Sequence, residues 1–177
     1  DWSSDVCSSD LDNTFRFRTL GLGFTGLGAV MLRSGIAYDS NQARELAASL
    51  TALMTGTAYL TSAELAAVLG CFPEYHKNRE SMQEVIGMHV SALEKIKAHS
   101  LNSKILETAK SIWQKAVHSG KCSGFRNAQV TCIAPTGTIG MLLDAETTGI
   151  EPYYAPFTIR SEEHTSELQS HSFISYA

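Results

Sequence analysis

From Ser40 to Ser119 the apolar residues recur at helical spacing, and no strand-like stretch interrupts them. Leu46, Leu50, Leu53 and Met54 line a first helix, and Thr61-Ser62-Ala63-Glu64 spells a capping box that predicts a second helix through Leu69. Gly70 and Pro73 punctuate. Asn78 is the expected cap of the next helix, with Ser81 and Glu84 as an alternative box, and Met82, Val85, Ile86, Leu93 and Ile96 share one face. A further helix, Ser103 to Ser119, turns Ile105, Leu106, Ala109, Ile112, Trp113 and Val117 inward and ends at Gly120. Strand-like stretches lie only outside this region: Phe15 to Leu20, Gln129 to Ala134, and a short last one near Tyr153 to Ile159 that includes the tandem Tyr153-Tyr154. Four helices between strands are too many for one plain crossover, so a chain of repeated βαβ units is excluded. Internal repeats and low-complexity tracts are absent.

The chemistry concentrates in Arg126 to Pro152, RNAQVTCIAPTGTIGMLLDAETTGIEP. Gln129 to Ala134 is short, mostly apolar and β-prone, and Pro135 ends any ladder by withholding its amide. Thr136-Gly137-Thr138 follows at once: glycine to turn on, two hydroxyls, then Ile139 to Leu143 as the start of a short helix. Unpaired amides at a helix start attract phosphate, so such a turn can hold an anion without a lysine of its own. A plain strand-to-helix connector would use the same residues. Strand alternation sets Cys132 opposite Ile133 as a small buried thiol.

A second reading rests on Gly21-Leu22-Gly23-Phe24-Thr25-Gly26, a formal GxGxxG after a strand-like stretch, with Asp39 16 residues beyond Gly23. It predicts a Rossmann-like dinucleotide module that uses Gly21, Gly23, Gly26 and Asp39. Arg16 and Arg18 oppose it, because a central parallel strand is apolar on both faces.

The two ends do not read as native protein. Asp1 to Leu11, DWSSDVCSSDL, and Arg160 to Ser170, RSEEHTSELQS, translate one sequencing-library adapter in its two orientations, and Ile174 to Ala177 continues it. Residues 1–11 and 160–177 are therefore set aside, leaving 12–159, about one domain of chain. The ends carry six carboxylates and one arginine, so the net charge of −4 becomes +1. A near-neutral interior excludes the clustered basic surface of a non-specific nucleic-acid binder. No apolar run approaches the ~20 residues of a membrane span, so no membrane partner is expected. Cys71, Cys122 and Cys132 form no CxxC, as reduced cytoplasmic thiols do not need to. His76, His89 and His99, 13 and 10 residues apart, do not share a helical turn and are expected to be solvated or packed rather than metal ligands.

RNAQVTCIAPTGTIG followed by TTGIEP resembles the carboxy-terminal part of the ribonucleotide reductase catalytic subunit, most closely its class II, adenosylcobalamin-dependent branch. TLGLGFTGLGAVMLRSGIAYDS and MTGTAYLTSAELA are similar to the same family. The resemblance implies an α/β fold, with this chain a helix-rich open fragment of a ten-stranded barrel whose glycines let a helix pack closely in the wall. It implies that Pro135, Thr136, Gly137, Thr138 and Ile139 bind substrate phosphate. It implies a parent that reduces ribonucleotides, as diphosphates, to 2′-deoxyribonucleotides through a cobalamin-initiated thiyl radical, with a thioredoxin-like reductant, deoxynucleotide effectors and a homodimer. The radical and reducing cysteines would lie outside Asp12 to Ile159, so no catalytic residue is assigned here and the fragment by itself is expected to be inactive. The turn wording also occurs in class I large subunits, which stand as the alternative.

Overall fold

The structure, a computed structural model, describes residues 5–154, 157–160 and 169–172. In chain order its elements are α1 (Asp5–Phe17), α2 (Leu27–Arg33), α3 (Asn41–Leu69), α4 (Arg79–Leu93), α5 (Ser103–Ser123), α6 (Gly137–Leu142), β1 (Phe157–Arg160) and β2 (Gln169–Ser172). They fall into two compact units, a helical body (Asp1–Gly23 and Asp39–Ile133) and a turn unit (Phe24–Tyr38 and Ala134–Ala177). The expected helix-rich composition is present among the described residues.

In the helical body α3 packs along α5. Ser40 caps α3 by accepting from the Ala43 amide at 3.1 Å. The helix then runs unbroken to Leu69, so the expected second start at Thr61 does not occur. Burial overrode the cap spelling: the Ser62 hydroxyl donates to Asn127 Oδ1 at 2.9 Å and accepts from the Asn127 amide at 3.0 Å. This unbroken helix also corrects the membrane reading, since α3 is long and apolar enough, by length and composition, to cross a bilayer. One face of it lies in the core. Tyr59 and Ala63 on α3 pack with Phe72, Tyr75, Ile86 on α4, Leu106, Ala109 and Trp113 on α5, and Phe125.

Two glycines allow the close approach of these elements. A Cβ on Gly56 would lie 2.6 Å from Trp113 Nε1, which instead donates to the Ala52 carbonyl at 2.9 Å. A Cβ on Gly120 would lie 2.2 Å from Phe125 Cζ. Gly120 therefore sits inside α5 and does not end it. The helix continues to Ser123 and closes on Gly124, whose φ of 71° only glycine adopts freely. Asn78 precedes α4 as expected, but its side-chain amide donates back to the Glu74 carbonyl at 2.9 Å and makes no cap bond.

Phe15 to Leu20 is not a strand. Phe15, Arg16 and Phe17 complete α1, where Arg16 pairs with Glu74 at 3.2 Å and Phe17 meets Phe72 at 6.3 Å between ring centroids. Arg18, at φ 49°, breaks the helix, and its carbonyl accepts from Asn127 Nδ2 at 2.8 Å. The extended segment begins only there. Leu20 and Leu22 donate to Gln129 and Val130 carbonyls at 2.9 and 3.1 Å, Cys132 donates to Leu22 at 2.9 Å, and Leu22 bridges Thr131 in parallel. The expected strand Gln129 to Ala134 is therefore reduced to a single bridge at Thr131 with the few backbone bonds around it, and no regular strand forms there. Cys132 is exposed, as is Ile133, so the buried-thiol expectation fails. Its ladder partner presents Gly21 and Gly23, which offer no side chain to cover it.

His89 stacks on Trp113 at 5.4 Å, and burial holds its pKa below the ordinary 6.5. Among the described residues no three His, Cys, Asp or Glu side chains gather as a metal site. Cys71, Cys122 and Cys132 are free thiols.

In the turn unit α2 follows Gly26, at φ 78°, and buries Leu27, Ala29 and Met31. A Cβ on Gly28 would meet the Glu151 carbonyl at 2.5 Å and the Tyr153 amide at 2.9 Å, so only glycine lets α2 approach that backbone. The last strand lies later than expected: Tyr153 and Tyr154 have no regular structure, and β1 pairs antiparallel with β2, Phe157 opposite Ser172 and Arg160 opposite Gln169.

Candidate functional site

The turn at Pro135 to Ile139 belongs wholly to the turn unit. Pro135, Thr138 and Ile139 are exposed; Thr136 and Gly137 are half-buried. Gly137 opens α6 as a helical residue, and the first helical bond runs from the Gly140 amide to the Thr136 carbonyl. The amides of Gly137, Thr138 and Ile139 therefore precede the α6 ladder, where a helix start leaves donors without an internal acceptor.

Thr136 behaves differently from Thr138. Its amide donates to the Thr148 carbonyl at 3.1 Å, and its hydroxyl donates to the same oxygen. Thr148 is fixed in turn by Glu151, whose Oε1 accepts from the Thr148 hydroxyl at 2.7 Å and from the Thr148 amide. Burial pushes the Glu151 carboxyl up, but the Thr148 hydroxyl and the amides of Glu151, Thr148 and Gly149 outweigh it, holding the group below the ordinary carboxylate value. Glu151, Thr148 and Thr136 thus form a chain of hydrogen bonds that ends on the turn. The Thr138 hydroxyl has no part in it.

Thr148 and Glu151 were not singled out from the sequence, although a signal exists. Thr148-Gly149-Ile150-Glu151 has the Thr-x-x-Glu spelling of a capping box, and Glu151 reaches back to the Thr148 amide as the glutamate of such a box does. No helix follows, because Pro152 comes next. The same bond pattern here fixes a loop.

The residues of the dinucleotide reading are divided between the two units. Gly21 and Gly23 belong to the helical body, where a Cβ on Gly23 would stand 2.7 Å from the Cys132 carbonyl; these glycines serve a backbone contact. Gly26 belongs to the turn unit and starts a helix of only 7 residues. Asp39 is exposed, and its carbonyl accepts from Arg44 at 2.7 Å.

The family model described as ribonucleotide reductase, barrel domain, matches residues 2–174. The chain belongs to the ribonucleotide reductase family. Among curated relatives it is 42% identical over 159 residues to a vitamin B12-dependent ribonucleotide reductase of Agrobacterium fabrum, covering 81% of this chain and 12% of that one. It is 46% identical over 154 residues to the protein of the same name from Streptomyces avermitilis, covering 83% of this chain and 16% of the relative. A third, from Rhodopirellula baltica, is 46% identical over 140 residues, with shares of 79% and 13%. This reductase-family chain thus spans only 12% to 16% of the length of these relatives.

Proposed function

We propose that residues 12–159 are a piece of the catalytic barrel of a class II ribonucleotide reductase, flanked by adapter-derived residues 1–11 and 160–177, and that Pro135 to Ile139 hold the phosphate of its substrate. The observation that carries this is the free first turn of α6, with the Thr138 hydroxyl beside it, in a family member whose similar relatives bear a B12-dependent reductase name. Phosphate requires donors. Gly137, Thr138 and Ile139 supply three amides and Thr138 a hydroxyl; Pro135 has no amide, and both donors of Thr136 already serve Thr148.

The complete enzyme, in this reading, reduces ribonucleoside diphosphates to 2′-deoxyribonucleotides with electrons from a thioredoxin-like partner, as a homodimer open to deoxynucleotide effectors. Adenosylcobalamin supplies the radical chemistry. No site for that cofactor is assigned among the described residues: the hollow of about 470 Å³ in the helical body is walled mainly by apolar side chains such as Leu20, Leu22, Met54 and Val130, and the one of about 410 Å³ offers a single imidazole, His89. The cobalamin and the radical cysteines are assigned to other parts of the complete protein, and this piece alone has no reductase activity. Its exposed Leu20, Leu22, Val68, Leu69, Leu142 and Leu143 support an open portion of a larger barrel, since covered sheets and helices bury such side chains.

The test is ribonucleoside diphosphate binding by the complete enzyme. Thr138→Ala should weaken it by roughly ten- to a hundredfold, the effect of losing one hydroxyl bond to an anion. Asp39→Ala should leave it unchanged; equal losses from both would overturn the assignment. The flanks are tested by amplifying the source gene outward from within Phe15 to Pro152, where finding DWSSDVCSSDL contiguous in the genome would sink that part.

A further inference from the structure

Two facts about the turn unit stand apart from the phosphate donors themselves. Thr136 spends both its amide and its hydroxyl on one acceptor, the Thr148 carbonyl, and Thr148 gives both of its own donors to Glu151. A carboxylate in the loop that holds an anion-binding turn is electrostatically unfavourable to that anion. Its presence therefore has to be explained by what it holds. Hydrogen bonds to an ionised acceptor are roughly twice as strong as neutral ones, and two from one residue fix that residue's orientation.

We infer that Glu151 is a positioning residue for substrate phosphate: it orients Thr148, whose carbonyl clasps Thr136 and so aims the amides of Gly137 to Ile139 and the Thr138 hydroxyl. The inference rests on the phosphate reading above and assigns Thr136 a different part from Thr138. Thr138 faces the ligand; Thr136 locks the turn. The four donors around the carboxylate, the Thr148 hydroxyl and the amides of Thr148, Gly149 and Glu151, absorb its charge, so the clasp is held without a cation. Buried Thr147, next in the chain, has no partner for its hydroxyl among the described residues, so it provides no second tether.

The experiment uses the complete, cobalamin-loaded enzyme and measures the Kd of a ribonucleoside diphosphate together with kcat. Glu151→Ala should raise Kd about tenfold, as loss of an aligned hydrogen-bond set does, with kcat within about twofold. Thr148→Val keeps the amide bond and the side-chain shape, so it folds if Glu151→Ala does not; it should raise Kd about threefold. Glu151→Ala combined with Thr136→Val should be no worse than the weaker-binding single variant, because both cut one chain of bonds. The inference is overturned if Thr138→Ala weakens binding while Glu151→Ala and Thr148→Val do not. It is also overturned if those two variants lower kcat with Kd unchanged, the mark of a merely structural loss, or if the double variant shows additive losses. Should Thr138→Ala itself leave Kd unchanged, the phosphate reading fails first.

Discussion

The helical body is held by apolar burial, whereas the Pro135 to Ile139 turn of the turn unit is held by directed polar bonds. In the first, Trp113, Phe125 and Ile86 are almost fully buried and lie among α3, α4 and α5. In the second, Ile139, Leu142 and Leu143 are exposed, and the turn is set by Thr148 and Glu151. The difference teaches how a chain can stabilise a scaffold and keep donors free. Burial is non-directional and tolerates no unpaired amide, while a clasp of a few aligned bonds fixes geometry and leaves neighbouring amides open.

This contrast can be broken, and the sharpest attempt is Trp113→Ala in the complete protein. Removing a side chain 2% exposed should cost about 3–5 kcal/mol. Amide exchange should rise through α3 and α5 and stay near its original rate in α6. Equal loss in both would mean that the two units unfold together.

Gly28→Ala is the counterpart for the turn unit. Its Cβ would strike the backbone at Glu151 and Tyr153, which cannot move aside as a side-chain tip can, and we expect a cost of about 1–3 kcal/mol. Exchange should now rise at residues 147–151 and not in α5. A neutral result would show that the approach of α2 to that backbone is looser than drawn.

Acid should sharpen the contrast. His89 is held below 6.5 by burial, so below that pH the unfolded chain takes up the proton first and the helical body loses stability as pH falls. Glu151 is held below its ordinary 4.5, so its contribution is complete above 4.5 and disappears only as pH falls through the lowered value. Between pH 6.5 and 4.5, exchange should rise in α4 and α5 before it rises at Thr148. The reverse order would count against the clasp.

Arg33→Ala should do least. Its ion pair with Glu146 has an arginine side chain 74% exposed, and such pairs contribute about 0–1 kcal/mol. A thermal shift of several degrees would mean that this pair, and not the Glu151 clasp, sets the turn unit.

The sequence by itself determined the helical character of α3, α4 and α5 and the location of the turn. Apolar periodicity marks the faces of α3, α4 and α5 because a helix repeats every 3.6 residues wherever it packs. Pro135, the two threonines and the short helix after them mark the turn, because a missing amide and a helix start are local properties. Only the tertiary structure decided the rest. Thr61 to Glu64 could not announce that α3 runs on, because what cancels that cap is Asn127, 65 residues from Ser62. Phe15 to Leu20 alternates like a strand, yet Glu74 and Phe72 fix it as the end of α1. Gly120 looks like a stop until Phe125 takes the space beside it. Thr136 and Thr138 read alike in the sequence, and their roles part only where the Thr148 carbonyl arrives, 12 residues later in the chain. Partners that distant leave no periodic trace, so packing and hydrogen bonding must choose among the conformations that local chemistry allows.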